Sequence, residues 1–173
     1  MTKIGGGTLV LVGGASKWAT GDKVKLLAAK LETRKLDEDK SATDKKDEKE
    51  DADKKPPLDV PGVLMRMRID NDHFVTWGAD KEAVLYFSGN RIFKPLPALA
   101  GKNLVTFADA KGLVVSGYCW PETLALLPGR ASVLYQSSGR GHLVAFADDP
   151  NYRAFSPPLQ RFFFNAVFFG PGR

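Results

Sequence analysis

Gly7-Thr8-Leu9-Val10-Leu11-Val12-Gly13-Gly14 is the stretch whose reading decides the fold. A run of leucine and valine without polar alternation predicts a strand buried on both faces, because a strand with one wet face would place polar side chains at every second position. Such strands belong to sheets covered by helices on both sides, so the stretch points to an α/β chain. Immediately after it, Ser16 is placed to cap a helix. Trp18, Val24, Leu27, Ala28 and Leu31 recur at near-helical spacing, and Gly21-Asp22 is a point where that helix restarts. Gly13-Gly14-Ala15-Ser16 matches neither the dinucleotide fingerprint nor a Walker lysine pattern, so it is weak evidence for a nucleotide.

Further strands are predicted at residues 63–69, 83–87, 103–107, 112–118, 131–136 and 142–147, divided by turn signals such as Ser88-Gly89-Asn90 and Ser138-Gly139-Arg140-Gly141. Two helices interrupt them. Pro121 opens a short one that ends at Pro128-Gly129. Ser156 caps the other, which carries Leu159, Phe162, Phe163, Val167 and Phe168 as a broad apolar stripe, a pattern that predicts core packing, with a partner groove as the alternative. With 173 residues and 43% hydrophobic side chains, the chain is read as a single α/β domain with one core.

Residues 36–57 break this pattern. Between Asp37 and Lys55 stand nine acids and six lysines with no aromatic side chain, and such a composition cannot bury enough apolar area to offset the entropy of ordering it. The segment is therefore predicted to be a disordered charged insertion. Its local charge of −3 leaves +8 on the remainder, but the arginines there are scattered, so a solvated basic surface is expected and not a nucleic-acid groove. The opening residues are too short and too glycine-rich for a membrane span and show no signal-peptide pattern.

Candidate chemistry is sparse. Zinc hydrolysis needs three side-chain ligands and an open position, and the histidines are His73 and His142 alone, without an H-x-x-E or H-E-x-x-H motif. No metal or other cofactor is expected in this chain. His73 reads as a capping or surface residue. Cys119 lies between a predicted strand and a predicted helix, the context of a nucleophile elbow, but Pro121 stands where the elbow needs a glycine and His142 is not followed by a relay carboxylate. A packing cysteine is the simpler reading. Asp148, Asp149 and Arg153 follow a strand end, where open α/β sheets bind ligands, and Cys119, His142 and these three are the candidate pocket residues. The competing use of Asp149 is to cap its turn and of Arg153 to pair with it.

Several phrases together resemble one family. Gly6-Gly7-Thr8-Leu9-Val10, Ala15-Ser16-Lys17-Trp18-Ala19, Pro61-Gly62-Val63, Asp72-His73-Phe74 with Trp77-Gly78, Phe93-Lys94-Pro95, Gly112-Leu113 with Ser116-Gly117-Tyr118, and Gly139-Arg140-Gly141 leading to Asp149-Pro150-Asn151-Tyr152-Arg153 are similar to the class I glutamine-amidotransferase-like domain at the C-terminal end of bacterial zinc carboxypeptidases of the carboxypeptidase A type. The resemblance implies a flavodoxin-like layered, mixed sheet that this chain enters partway through. The family's elbow cysteine would precede Gly5 and is unmatched, as is its relay pair, so no catalytic residue is carried over. For the parent the resemblance implies a periplasmic or secreted peptidase with zinc in an upstream domain. For this chain it implies a non-catalytic accessory role, with that upstream peptidase domain as partner: packing, substrate positioning or assembly. A small-ligand module built on Asp148, Asp149 and Arg153, and a degenerate cysteine hydrolase built on Cys119, are the alternatives; self-association through an open sheet edge is a further expectation.

Overall fold

A computed structural model of the chain describes residues 4–35 and 54–173. The glycine-bounded apolar run forms β1 (Ile4–Val12), followed by α1 (Gly14–Thr20). A two-residue ladder joins β2 (Arg34–Lys35) to β3 (Lys54–Lys55). Then come β4 (Val60–Ile69), β5 (Glu82–Gly89), β6 (Lys102–Phe107), β7 (Val114–Gly117), α2 (Pro121–Leu124), β8 (Ala131–Phe146) and α3 (Pro157–Phe169). The main sheet runs β1-β8-β6-β4-β5, with β7 also on β4. β1 and β8 are parallel, and every other pairing in that sheet is antiparallel. The fold is thus α/β with a mixed sheet. β4 gives one side to β5 and divides the other, pairing β7 through Val63–Met65 and β6 through Met67–Ile69.

Alternation along β8 builds two apolar layers. Val144 and Phe146 join Met65, Met67, Phe107, Leu159 and Phe162 on the face under α3, while Leu143 and Ala145 join Leu11, Ala19, Leu27 and Phe93 on the opposite face. α3 crosses its face obliquely. Just before its first turn, the Ser156 hydroxyl accepts from the Tyr86 amide of β5, and just past its last turn Gly170 lies so close to Thr8 of β1 that a Cβ would overlap the threonine side chain.

The structure corrects four expectations about secondary structure and its caps. The helix predicted through Leu31 ends at Gly21; residues 26–29 run irregularly and are held by buried Gln136, whose amide donates to the Leu26 carbonyl (3.0 Å) and accepts from the Ala28 amide (2.7 Å). Leu26, Leu27 and Ala29 are buried there without a helix; of the residues read as the helix face, Leu27 is buried, Val24 and Leu31 are half-buried, and Trp18 and Ala28 are exposed. Ser16 is not the cap; Gly13 occupies that position and the Ser16 hydroxyl donates to the Phe146 carbonyl (2.8 Å). Ser156 likewise makes no side-chain cap bond to α3.

The fourth concerns β8, which is one strand of 16 residues where two were expected. Ser138-Gly139-Arg140-Gly141 has turn composition, but its glycines let two backbones meet. A Cβ on Gly141 would stand 2.5 Å from the Gly7 carbonyl oxygen, so the residue must be glycine for β1 to seat. Of the predicted charged insertion, residues 36–53 lie outside the described residues; its C-terminal end is ordered, with Lys54–Lys55 paired to Arg34–Lys35 and Pro57 buried.

Candidate functional site

The candidate pocket residues do not converge. Cys119 is buried, its thiol donates only to the Trp120 carbonyl (3.7 Å), and burial raises its pKa, the opposite of nucleophile activation. His142 is held elsewhere, its Nε2 bonded to the Thr8 hydroxyl (2.9 Å), and burial lowers its pKa. The Asp149 carboxylate accepts from the Asn151 amide (2.9 Å), closing its own turn. Arg153 does not pair with it in the way the turn suggested; its guanidinium stacks on Tyr152 (5.3 Å), and its backbone has φ 47°, a left-handed conformation unusual for arginine.

Asp148 alone among them organises a cluster. One carboxylate oxygen accepts from both the amide (2.7 Å) and the hydroxyl (2.8 Å) of Ser88; the other accepts from the Asp149 amide (2.9 Å) and faces Arg91 at 3.6 Å. Arg91 is fixed in turn by the Ala147 carbonyl (2.8 Å). With Ser156 on the Tyr86 amide (2.8 Å), two backbone donors of β5 are taken by side chains of the segment that follows β8. β5 is a terminal strand of the sheet, so these contacts plug an edge. Stacking of Tyr152 and Phe155 on Tyr86, at 4.9 and 5.5 Å, seals the plug.

A second polar group was missed in the sequence because its members are far apart along the chain. His73, Tyr135, His142 and Phe74 form a continuous ring cluster with centroid distances of 4.5 to 6.0 Å. The His73 Nδ1 accepts from the Val75 amide (3.3 Å), the capping role expected of it. Burial, joined by nearby Lys102, lowers its pKa to about 4. With both rings engaged in this way, the pair serves packing. Among the described residues no group of three histidine, cysteine or carboxylate side chains is placed to hold a metal ion.

The feature with the clearest functional content is α3. Its core row is Leu159, Phe162 and Ala166. Two of its polar side chains reach back to the loop after β4: Arg161, itself exposed, donates to the Gly78 carbonyl, and half-buried Asn165 donates to those of Val75 (3.0 Å) and Trp77 (3.1 Å). Phe164, Val167 and Phe168 are left to solvent, 58%, 47% and 75% exposed, so the core packing expected of Val167 and Phe168 does not hold, whereas Leu159 and Phe162 are buried as expected. A surface helix ordinarily keeps such side chains inward. The sequence signal was available: in Gln160-Arg161-Phe162-Phe163-Phe164-Asn165-Ala166-Val167-Phe168, too many phenylalanines occupy too wide an arc for one core contact.

This flank lies at the β1 end of the helix. Phe163 packs with Phe146 (6.3 Å) over β8, alongside Val10 and Val12 of β1. β1 is the other terminal strand, and its second edge has no strand partner among the described residues. No helix among the described residues is long and apolar enough to cross a membrane. Comparison of the chain with family models, with curated proteins and with solved structures found no match.

Proposed function

We propose that this chain is a non-catalytic accessory module that works by contact, docking on a neighbouring domain or subunit through the C-terminal half of α3. The observation that carries this reading is the exposure of large apolar side chains on that helix: Phe164, Val167 and Phe168 face solvent while the Arg161 and Asn165 side chains are bonded to backbone carbonyls. A contiguous apolar patch of this kind marks an interaction surface. The family resemblance supplies the context: a flavodoxin-like domain of a periplasmic or secreted zinc carboxypeptidase, in which the parent hydrolyses peptides with zinc bound upstream. In that setting the module contributes packing, substrate positioning or assembly. The small-ligand alternative loses support because both oxygens of Asp148 are already engaged, and the Cys119 alternative because burial raises the pKa of that thiol, away from activation.

The test compares this chain with the longer product of its reading frame. Peptidase activity is expected only in the longer product and is abolished by a zinc chelator. A hydrophobic dye that binds this chain is expected to bind the longer product less, and Phe164→Ser/Phe168→Ser is expected to remove the dye signal from this chain. Activity in this chain alone, or equal dye binding in both forms, overturns the reading.

A further inference from the structure

The C-terminal half of α3 is fastened to the rest of the fold at two points, and a histidine stands behind each. At the first, Asn165 donates to the carbonyls of Val75 and Trp77, the Phe169 ring meets Trp77 edge-on at 5.8 Å, and the Arg173 guanidinium lies over Trp77 (5.0 Å) and Phe74 (5.6 Å). All of these contacts fall on a 3-10 turn, Phe74–Thr76, and the residue after it. His73 starts that turn, its Nδ1 accepting the Val75 amide (3.3 Å). At the second point Gly170 closes on the Thr8 side chain, whose hydroxyl is bonded to Nε2 of His142 (2.9 Å). Both imidazoles touch Phe74 and Tyr135, so the two fastenings share one ring cluster.

We infer that His73 and His142 form an acid-released latch that seats the C-terminal half of α3, and with it the surface through which this chain docks. The inference rests on the contact reading above and adds its regulation. A ring nitrogen that accepts an amide proton must carry a free lone pair. An imidazolium at position 73 therefore cannot cap the turn, because it would set one N–H against another. The Thr8 bond of His142 survives protonation, since a hydroxyl accepts as well as it donates; there the cost is a charge buried beside Phe74 and Tyr135.

The charged and titratable groups around His73 are Lys102 of β6, Asp70 at the end of β4, His142 of β8 and Arg173 beyond α3. Asp70 already faces Lys102 at 4.0 Å, which leaves Arg173 to repel a proton on the ring. Both rings are held neutral in the closed latch, His73 with a pKa of about 4 and His142 with a lowered one. The folded values lie below the ordinary 6.5, so the latch is complete above that pH and weakens as pH falls toward 4. From pH 7 to pH 5, His73 alone favours opening by about fivefold after halving for partial exposure, and His142 acts in the same direction. The first half of α3 has other anchors, Ser156 on the Tyr86 amide and buried Leu159 and Phe162, so the helix opens from its C-terminal end. An unseated end must be reordered before it can dock, which weakens the contact.

The experiment is amide exchange of the full chain at pH 7 and pH 5, corrected for intrinsic rates, with and without low urea. Amides of residues 75–77 and 166–170 are expected to exchange through a local opening that low urea hardly changes, and to lose about fivefold or more of their protection at pH 5. Amides of Leu143–Phe146 should exchange only through urea-sensitive global unfolding. His73→Asn/His142→Gln, which keeps an acceptor at both positions, should hold its pH 7 protection and lose the pH effect; should that pair not fold, His73→Asn alone removes the effect at 75–77. Arg173→Gln should shrink it. Protection of the two segments that is the same at both pH values, that falls equally in the variants, or that follows Leu143–Phe146 at every urea concentration overturns the latch. In the longer product an uncharged hydrophobic dye should bind more at pH 5 than at pH 7, and equal binding at both would also overturn it. The contact reading is judged apart, at pH 7 with the latch closed: there, equal dye binding by this chain and the longer product would sink it.

Discussion

Asp148→Ala removes the plug at the β5 edge, and its cost can be worked from four contacts. The carboxylate accepts from the amide and hydroxyl of Ser88 and from the Asp149 amide, and it faces Arg91. A charged hydrogen bond contributes about 1.5–3 kcal/mol when the alternative is an unsatisfied buried group. Ser88 is half-buried, and the side chains of Arg91 and Asp148 are 29% and 13% exposed, so water restores part of what is lost. The expected destabilisation is about 3 kcal/mol in total, or a fall in Tm of roughly 6–12 °C for a chain of this size. Ser88→Ala deletes only the hydroxyl contact and should cost about 1 kcal/mol. Urea unfolding of both variants against the parent chain measures the difference, which belongs to the Ser88 and Asp149 amide bonds and the Arg91 contact. If Asp148→Ala costs no more than Ser88→Ala, the carboxylate does not hold the β5 edge and the plug argument fails.

The His73 ring supplies a pH dependence whose sign follows from its lowered pKa. Because the folded pKa is about 4 and the ordinary value is 6.5, the ring's contribution is complete above pH 6.5 and is lost as pH falls from there toward 4. After halving for partial exposure, stability at pH 5 should be about 1 kcal/mol lower than at pH 7, and His73→Asn, which retains a cap acceptor, should flatten that window in thermal unfolding. A pH-independent Tm from 7 to 5 in the parent chain would remove this account. Cys119 should resist alkylation in the folded chain and react fully in denaturant; rapid native labelling near neutral pH would revive the hydrolase alternative.

What the sequence disclosed was set by how local the signals were. The Leu9–Val12 run, the Pro121 helix start and the strand at 82–89 rest on contiguous composition, and all three stand close to where they were read. The 26–31 segment failed because the apolar spacing there does not mark one buried face, Leu27 being buried and Ala28 exposed, and because what holds it, the amide of Gln136, lies more than 100 residues away in sequence. Ser138–Gly141 failed for a related reason. Glycine signals freedom of backbone conformation, and from one strand alone a turn and a close approach to Gly7 look the same. At the candidate pocket, strand-end position was read correctly for Asp148, but its partners Ser88 and Arg91 come from a different part of the chain and turn the residue from ligand acceptor to structural clip.

An open strand edge costs an isolated domain little, because water satisfies its amides and carbonyls; its hazard is indiscriminate pairing with other strands. This chain spends Asp148, Ser156 and the aromatic stack of Tyr86, Tyr152 and Phe155 to close one edge. Among the described residues β1, at the other end of the sheet, has a strand partner on one side only.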